Sequence, residues 1–206
     1  MSGYTVINIL DMLETVGEDE LYNILSDFSS PRNTEIERFI HSNAIEFAKR
    51  KMSITYLVFN EDAQLLAYFT LAHKPSSVAE NILSKTSRKK LEMHARLEEN
   101  SQAYQVSAYL IAQFGKNYGV NHGRGISGNE LMDLVFGILE QVQRQIGGGI
   151  VFLECEDNPV LLKFYQNEHK RVRLFGERFS DIQQEKYLKM LRLFEREENG
   201  RISRII

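Results

Sequence analysis

Four glycines fall within ten residues, Gly119, Gly123, Gly125 and Gly128, with Arg124 and Ser127 among them, directly ahead of a run that reads as a long helix from Gly128 to Ile146. The first amides of a helix point along its axis and carry partial positive charge, so glycines leading into them let an anion lie against the main chain itself. A phosphate or pyrophosphate cradle is the chemistry this spacing could supply, Arg124 adding charge-assisted contacts and His122 standing inside the same loop. The plain alternative is a flexible loop without a ligand. It is not a P-loop, because no Gly-Lys-Ser/Thr follows, and its glycine spacing is not that of a dinucleotide fingerprint.

Other reactive side chains are sparse. Glu154 and Glu156 flank Cys155 at the end of an apolar run, where acids are usually solvated, and the run YQVSAYLIAQF holds no carboxylate to serve as a general base. Cys155 is the only cysteine, which excludes an internal disulfide and suits a reducing compartment; in a strand it reads as a small buried apolar residue. The five histidines show no ligand spacing, so no metal site is expected. A net charge of −3 leaves any polyanion to be met locally, and Lys85, Arg88, Lys89 and Lys90 form either such a patch or an ordinary solvated face. The opening residues lack a basic segment, Asp11 and Glu14 interrupt their apolar positions, and no later run is long enough to span a bilayer. No signal peptide and no membrane span are expected, and the cytoplasm is the expected setting.

These residues must be held by a core, and 206 residues with 43% hydrophobic content suffice for one α/β domain. EDELYNILSDF and NTEIERFIHSNAIEFAKRKM read as two amphipathic helices, the second capped by Asn33 or Thr34 with Glu37 placed for a capping box. SITYLVFN, EDAQ and LLAYFTLAH read as a β-hairpin closed by Pro75. Residues 74–103 are expected to be an irregular charged insertion, and 196–206 a frayed tail. Tyr104 to Phe114 reads as a strand covered on both faces, followed by the glycine loop, the helix, three glycines that stop it, and the strand IVFLECE. That order predicts a parallel crossover unit. Asn158 or Asp157 then caps a helix begun by Pro159, and RVRLFGERF and EKYLKMLRLF read as extended.

Taken in this order, the pieces from about Glu18 to Phe194 resemble the GNAT superfamily of acyl-coenzyme A-dependent N-acyltransferases. QFGKN followed by GRGISGNELM is similar to that family's strand end and pyrophosphate loop, and GGGIVFLECEDNPVLLKFYQNEHKRV to its next strand, Asn-led helix and Phe-Tyr motif. The strand-end pentapeptide further resembles the subset that serves as toxins of bacterial toxin–antitoxin pairs. The family's loop pattern places Gly123 in its Gln/Arg slot and Ile126 in its first glycine slot, a loose fit.

The resemblance implies a mixed, twisted sheet of about six or seven strands flanked by helices, a single domain, and transfer of an acetyl group from acetyl-CoA to an amine. It implies that main-chain groups of Phe114, Gly115 and Lys116 pair with the pantetheine arm, Phe114 or Gly115 also offering the oxyanion amide. Gly123, Arg124, Gly125, Ile126, Ser127 and Gly128 would hold the pyrophosphate, Asn158 would contact the coenzyme arm, and Tyr165 would protonate the leaving thiolate. It also implies a homodimer. The acceptor stays open between a small-molecule amine and an aminoacyl-tRNA, the latter bringing an antitoxin partner. A non-catalytic module that senses the coenzyme or binds a protein is the reading from another class.

Overall fold

The computed structural model describes residues 3–119, 125–167, 170, 172–180 and 185–193. Contacts divide the chain into two compact units, residues 1–73 with 110–146 and residues 74–109 with 147–206. Among the described residues, eight strands form one mixed sheet in the order β1-β2-β3-β5-β6-β8-β7, β4 pairing with β5 off that path. The sheet is the mixed sheet expected, with β1 and the two-residue β4, which carry almost no sequence signal, joining the strands read from the sequence.

The first unit opens with β1 (Thr5–Asn8) and α1 (Ile9–Val16), ahead of the two helices expected from the sequence. Asn8 makes the switch from strand to helix, its side chain accepting from Leu10 N at 2.9 Å. Gly17, at φ +81°, ends α1 and opens α2 (Glu18–Ser26), a backbone state that strains any residue with a Cβ. The second expected helix is divided into α3 (Thr34–Ser42) and α4 (Ala44–Lys49). The helical hydrogen bonds nevertheless continue through Asn43, whose N–H donates to Phe39 O and whose carbonyl accepts from Phe47 N, so Asn43, at φ −119°, marks a kink. Asn33 is the cap of α3, accepting from Ile36 N at 3.2 Å. The capping box expected of Glu37 does not form: its carboxylate instead accepts from Ser30 N at 2.6 Å and from the Ser29 hydroxyl at 3.2 Å.

β2 (Ile54–Phe59) and β3 (Leu65–Ala79) make the expected antiparallel hairpin. Asn60 builds its turn by accepting from Asp62 N and Gln64 N. Pro75 does not close it, since β3 runs on to Ala79. Inside the hairpin, the hydroxyls of Thr55 and Thr70, opposite each other in register and both fully buried, hydrogen-bond at 2.8 Å. The core of this unit gathers Leu21, Leu25, Phe28, Ile40, Ile45, Leu57 and Tyr68. Each such side chain contributes about 1.5–3 kcal/mol by leaving water. The Phe28 ring meets Tyr68 edge-on at 5.0 Å, and the Tyr68 hydroxyl donates to Ile36 O at 2.6 Å, satisfying the one polar atom in that packing. The end of β5 (Ala103–Lys116) and α6 (Gly128–Ile146) complete the unit.

The second unit carries the rest of β3 and β5, α5 (Lys85–Leu91), β4 (Leu97–Glu98), β6 (Ile150–Glu156), α7 (Pro159–Tyr165), β7 (Arg173–Ser180) and β8 (Glu185–Leu193). The charged stretch 74–103 is therefore more ordered than expected, holding a turn of 3₁₀ helix, a short helix capped by Ser84 and β4. β6 and β7 both pair antiparallel with β8. The phenol of Tyr109 donates to Gly147 O. Among the described residues no helix is long and apolar enough to cross a membrane.

Candidate active site

In the first unit, the end of β5 presents Phe114 and Lys116 half-buried and Gly115 buried. A Cβ on Gly115 would lie 2.5 Å from a methyl of Ile36, so glycine is required here by the close approach of α3. The strand stops at Lys116, and the next residue, Asn117, is a buried polar side chain, 8% exposed. Its Oδ1 accepts from Ser29 N and Gly119 N, both at 2.9 Å, while its Nδ2 donates to Asp27 O at 3.0 Å and Leu65 O at 2.9 Å. The Lys116 ammonium lies over the exposed Tyr118 ring, 5.5 Å from its centre.

Farther along in this unit, α6 begins with a capping box. Glu130 N donates to the Ser127 hydroxyl at 3.2 Å, and the Glu130 carboxylate accepts from Ser127 N at 2.9 Å. Ser-x-x-Glu, from Ser127 to Glu130, is its signal in the sequence. Gly125 is exposed, with no heavy atom within 4 Å of where a Cβ would stand, and Ser127 is exposed as well. Ile126 is buried, 4% exposed, and anchors the loop through the core. Exposed glycine and serine at the tip of a 19-residue helix fit an anionic group, although one of the tip amides is already engaged by a carboxylate. His122, Gly123 and Arg124 lie outside the described residues.

In the second unit, Asn158 is the cap of α7, its side-chain oxygen accepting from Val160 N at 2.9 Å, with Pro159 at the first helical position. Tyr165 ends the helix and is 8% exposed. Burial, with a smaller contribution from Cys155, pushes its phenol well above the ordinary tyrosine value, so the proton stays in place at neutral pH. The Phe164 ring meets it edge-on at 5.0 Å. Lys170, 1% exposed, donates from Nζ to Phe164 O at 2.9 Å and lies 3.9 Å from the centre of that ring. A buried lysine at a helix C-terminus is stabilised by the carbonyl ends it meets, and nothing in the sequence around it marked it for burial.

Burial, with Glu156 and Asp157, raises the Cys155 thiol to about 11, and Sγ lies 3.7 Å from Met190 Sδ. It is a packed, protonated thiol. Glu154 receives Arg178 Nε at 2.9 Å and Nη2 at 2.8 Å on one oxygen, and Glu156 is exposed. Neither carboxylate has the setting of a poised base. Among the described residues no three His, Cys, Asp or Glu side chains gather as a metal site requires.

No protein-family model matches the sequence, and no curated protein matches it significantly. Solved structures do match. The chain is similar to AtaT complexed with acetyl-methionyl-tRNAfMet, with a TM-score of 0.60 and 14% identity over 90% of this chain and 93% of that one. It is similar to AtaTR bound with acetyl-CoA, at 0.56 and 12% identity over 94% of each chain. A mutant of the toxin AtaT bound to the C-terminus of the antitoxin AtaR matches at 0.53 and 13% identity over 90% and 91%. Identities this low speak to architecture, and across nearly the whole length of both chains that architecture is the GNAT-like fold.

Proposed function

We propose that the chain is an N-acetyltransferase that moves an acetyl group from acetyl-CoA to an amine, and that the amine is the α-amino group of an aminoacyl-tRNA. The observation that carries this reading is the fold shared over at least nine-tenths of the chain with AtaT, a protein solved with acetyl-methionyl-tRNAfMet. Acetyl-CoA would supply an activated thioester. The main chain of Phe114, Gly115 and Lys116 would align its pantetheine arm, and an amide from Phe114 or Gly115 would meet the developing oxyanion. Gly125 and Gly128 would offer their main chain for the diphosphate and Ser127 its hydroxyl, since the Ser127 amide is held by Glu130; Gly123 and Arg124 would add to these contacts, and Asn158 would offer its side-chain amide to the arm. Tyr165 would give its proton to the departing thiolate; a raised phenol is a weaker acid, but its protonated form is fully populated.

The absence of a poised carboxylate among the candidates favours an acceptor that needs little deprotonation, and an α-amino group, near pKa 8, is such a group where a lysine side chain near about 10.4 is not. Exposed Lys85, Lys89 and Lys90 on α5 suit a polyanionic acceptor, while Arg88 is tied to Glu80. An antitoxin partner and a homodimer belong to this reading as well.

Incubation with acetyl-CoA and either charged tRNA, uncharged tRNA or a lysine peptide tests it. Thiol release and acetylation of the aminoacyl group with charged tRNA alone are expected. A melting temperature raised by acetyl-CoA without thiol release from any amine would instead leave a coenzyme-sensing module.

A further inference from the structure

We infer that Asn117 is a positioning residue that locks the end of β5 to the Asp27–Ser30 turn and to the start of β3, and so fixes the direction of the main chain at Phe114, Gly115 and Lys116. Its catalytic consequence rests on the acetyltransferase reading; the lock itself does not.

All the side-chain hydrogen-bonding capacity of Asn117 is used. Two amides point at Oδ1, from Ser29 and Gly119, and two carbonyls accept from Nδ2, those of Asp27 and Leu65. Exchanging O and N would set donor against donor and acceptor against acceptor, so a single orientation is possible. The main chain follows the same plan, Asn117 N donating to Leu66 O at 2.8 Å and Tyr118 N to Ser29 O at 2.7 Å. The turn is held from its other side too, because Glu37 takes Ser30 N and the Ser29 hydroxyl, and His41 Nε2 lies 2.9 Å from Phe28 O. Packing closes the arrangement, with the Ser29 Cβ 3.0 Å from where a Cβ on Gly119 would stand and Ile36 set against Gly115.

The end of a strand frays unless something ties it down, and amides that must meet a developing charge work only when their direction is fixed in advance. Asn117 supplies that tie one residue beyond the strand. No other side chain of its size offers two donors and two acceptors in the same shape: serine is too short, and an ionised aspartate would face two carbonyls.

The test compares Asn117→Ser and Asn117→Asp with wild type and with Leu57→Ala, a core substitution in the same unit that lowers the melting temperature without touching this network. Amide exchange is read over 27–33, 110–119 and 128–146, and thiol release over a range of acetyl-CoA concentrations. Expected are exchange faster by about tenfold or more over 27–30 and 114–119 with 128–146 unchanged, and kcat lower by about tenfold with the KM for acetyl-CoA within about threefold. Leu57→Ala should keep the wild-type kcat below its melting transition. Exchange over 114–116 that stays at the wild-type rate, or rises no more than in Leu57→Ala, overturns the lock, and an undiminished kcat overturns its catalytic consequence. Should wild type itself release no thiol, the acetyltransferase reading falls and the exchange measurement alone decides the lock.

Discussion

A phenol and a thiol in the second unit are both kept protonated by burial, and they differ in what that does. Tyr165 is proposed to meet a leaving group, so Tyr165→Phe should lower kcat for thiol release by about a hundredfold, the lower end for loss of a general acid, while the Kd for acetyl-CoA by calorimetry moves less than about threefold. Undiminished turnover would remove it from the chemistry. Cys155 has no such task, and its consequence is for stability. Its thiol is raised from 9.0 to about 11, so with rising pH the unfolded chain releases this proton first. The stability that depends on the protonated thiol is whole below pH 9 and declines between 9 and about 11. The advantage of wild type over Cys155→Ala, measured by urea unfolding, should accordingly shrink by about 1 kcal/mol or more from pH 8 to pH 11. The neutral, packed character of Cys155 could be read from its place in a strand with no histidine beside it. The burial of Lys170 could not, because a charged side chain just past a helix ordinarily stays in water, whereas here the ammonium turns back onto the Phe164 carbonyl and ring.

Local signals located several elements well, and non-local ones were lost. The bounds of α6 and β6 and the Asn158 cap of α7 follow from apolar period, glycines and an Asn-Pro pair, all encoded within a few residues. The sequence predicts that the hairpin closes at Pro75, since a proline normally demotes a strand, yet β3 runs on to Ala79. Glu37 leaves its expected box because an amide and a hydroxyl of a preceding turn, seven and eight residues away, compete for it. The same limit hid Asn117, whose partners are up to 90 residues away. At the candidate site, α7 permits a clean separation of roles. Asn158 caps the helix through its oxygen, whereas a contact with the coenzyme arm would use its amide as donor. Asn158→Asp should therefore hold stability within about 0.5 kcal/mol while weakening acetyl-CoA binding, and Asn158→Ala should lose about 1 kcal/mol of stability as well. Equal affinities for wild type and Asn158→Asp would confine this residue to capping.

For the molecule as a whole, the acceptor reading predicts a strong dependence on ionic strength despite the net charge of −3, since affinity for a polyanion follows local cations and the counterions they displace. Replacing Lys85, Lys89 and Lys90 together with alanine should flatten the salt dependence of tRNA binding by close to three counterions, as read by filter retention over a salt series. The buried hydroxyl pair of Thr55 and Thr70 has a reach beyond its own contact. Sliding the hairpin by a single residue would separate the two oxygens and strand each in oil, so misaligned versions of the sheet are penalised while the chain is still searching. Thr55→Val or Thr70→Val alone should cost about 1–3 kcal/mol, and the double valine variant should regain most of it in equilibrium melts. The double variant should nonetheless refold with added slow phases, because two oily strands accept several alignments where a matched polar couple accepts one.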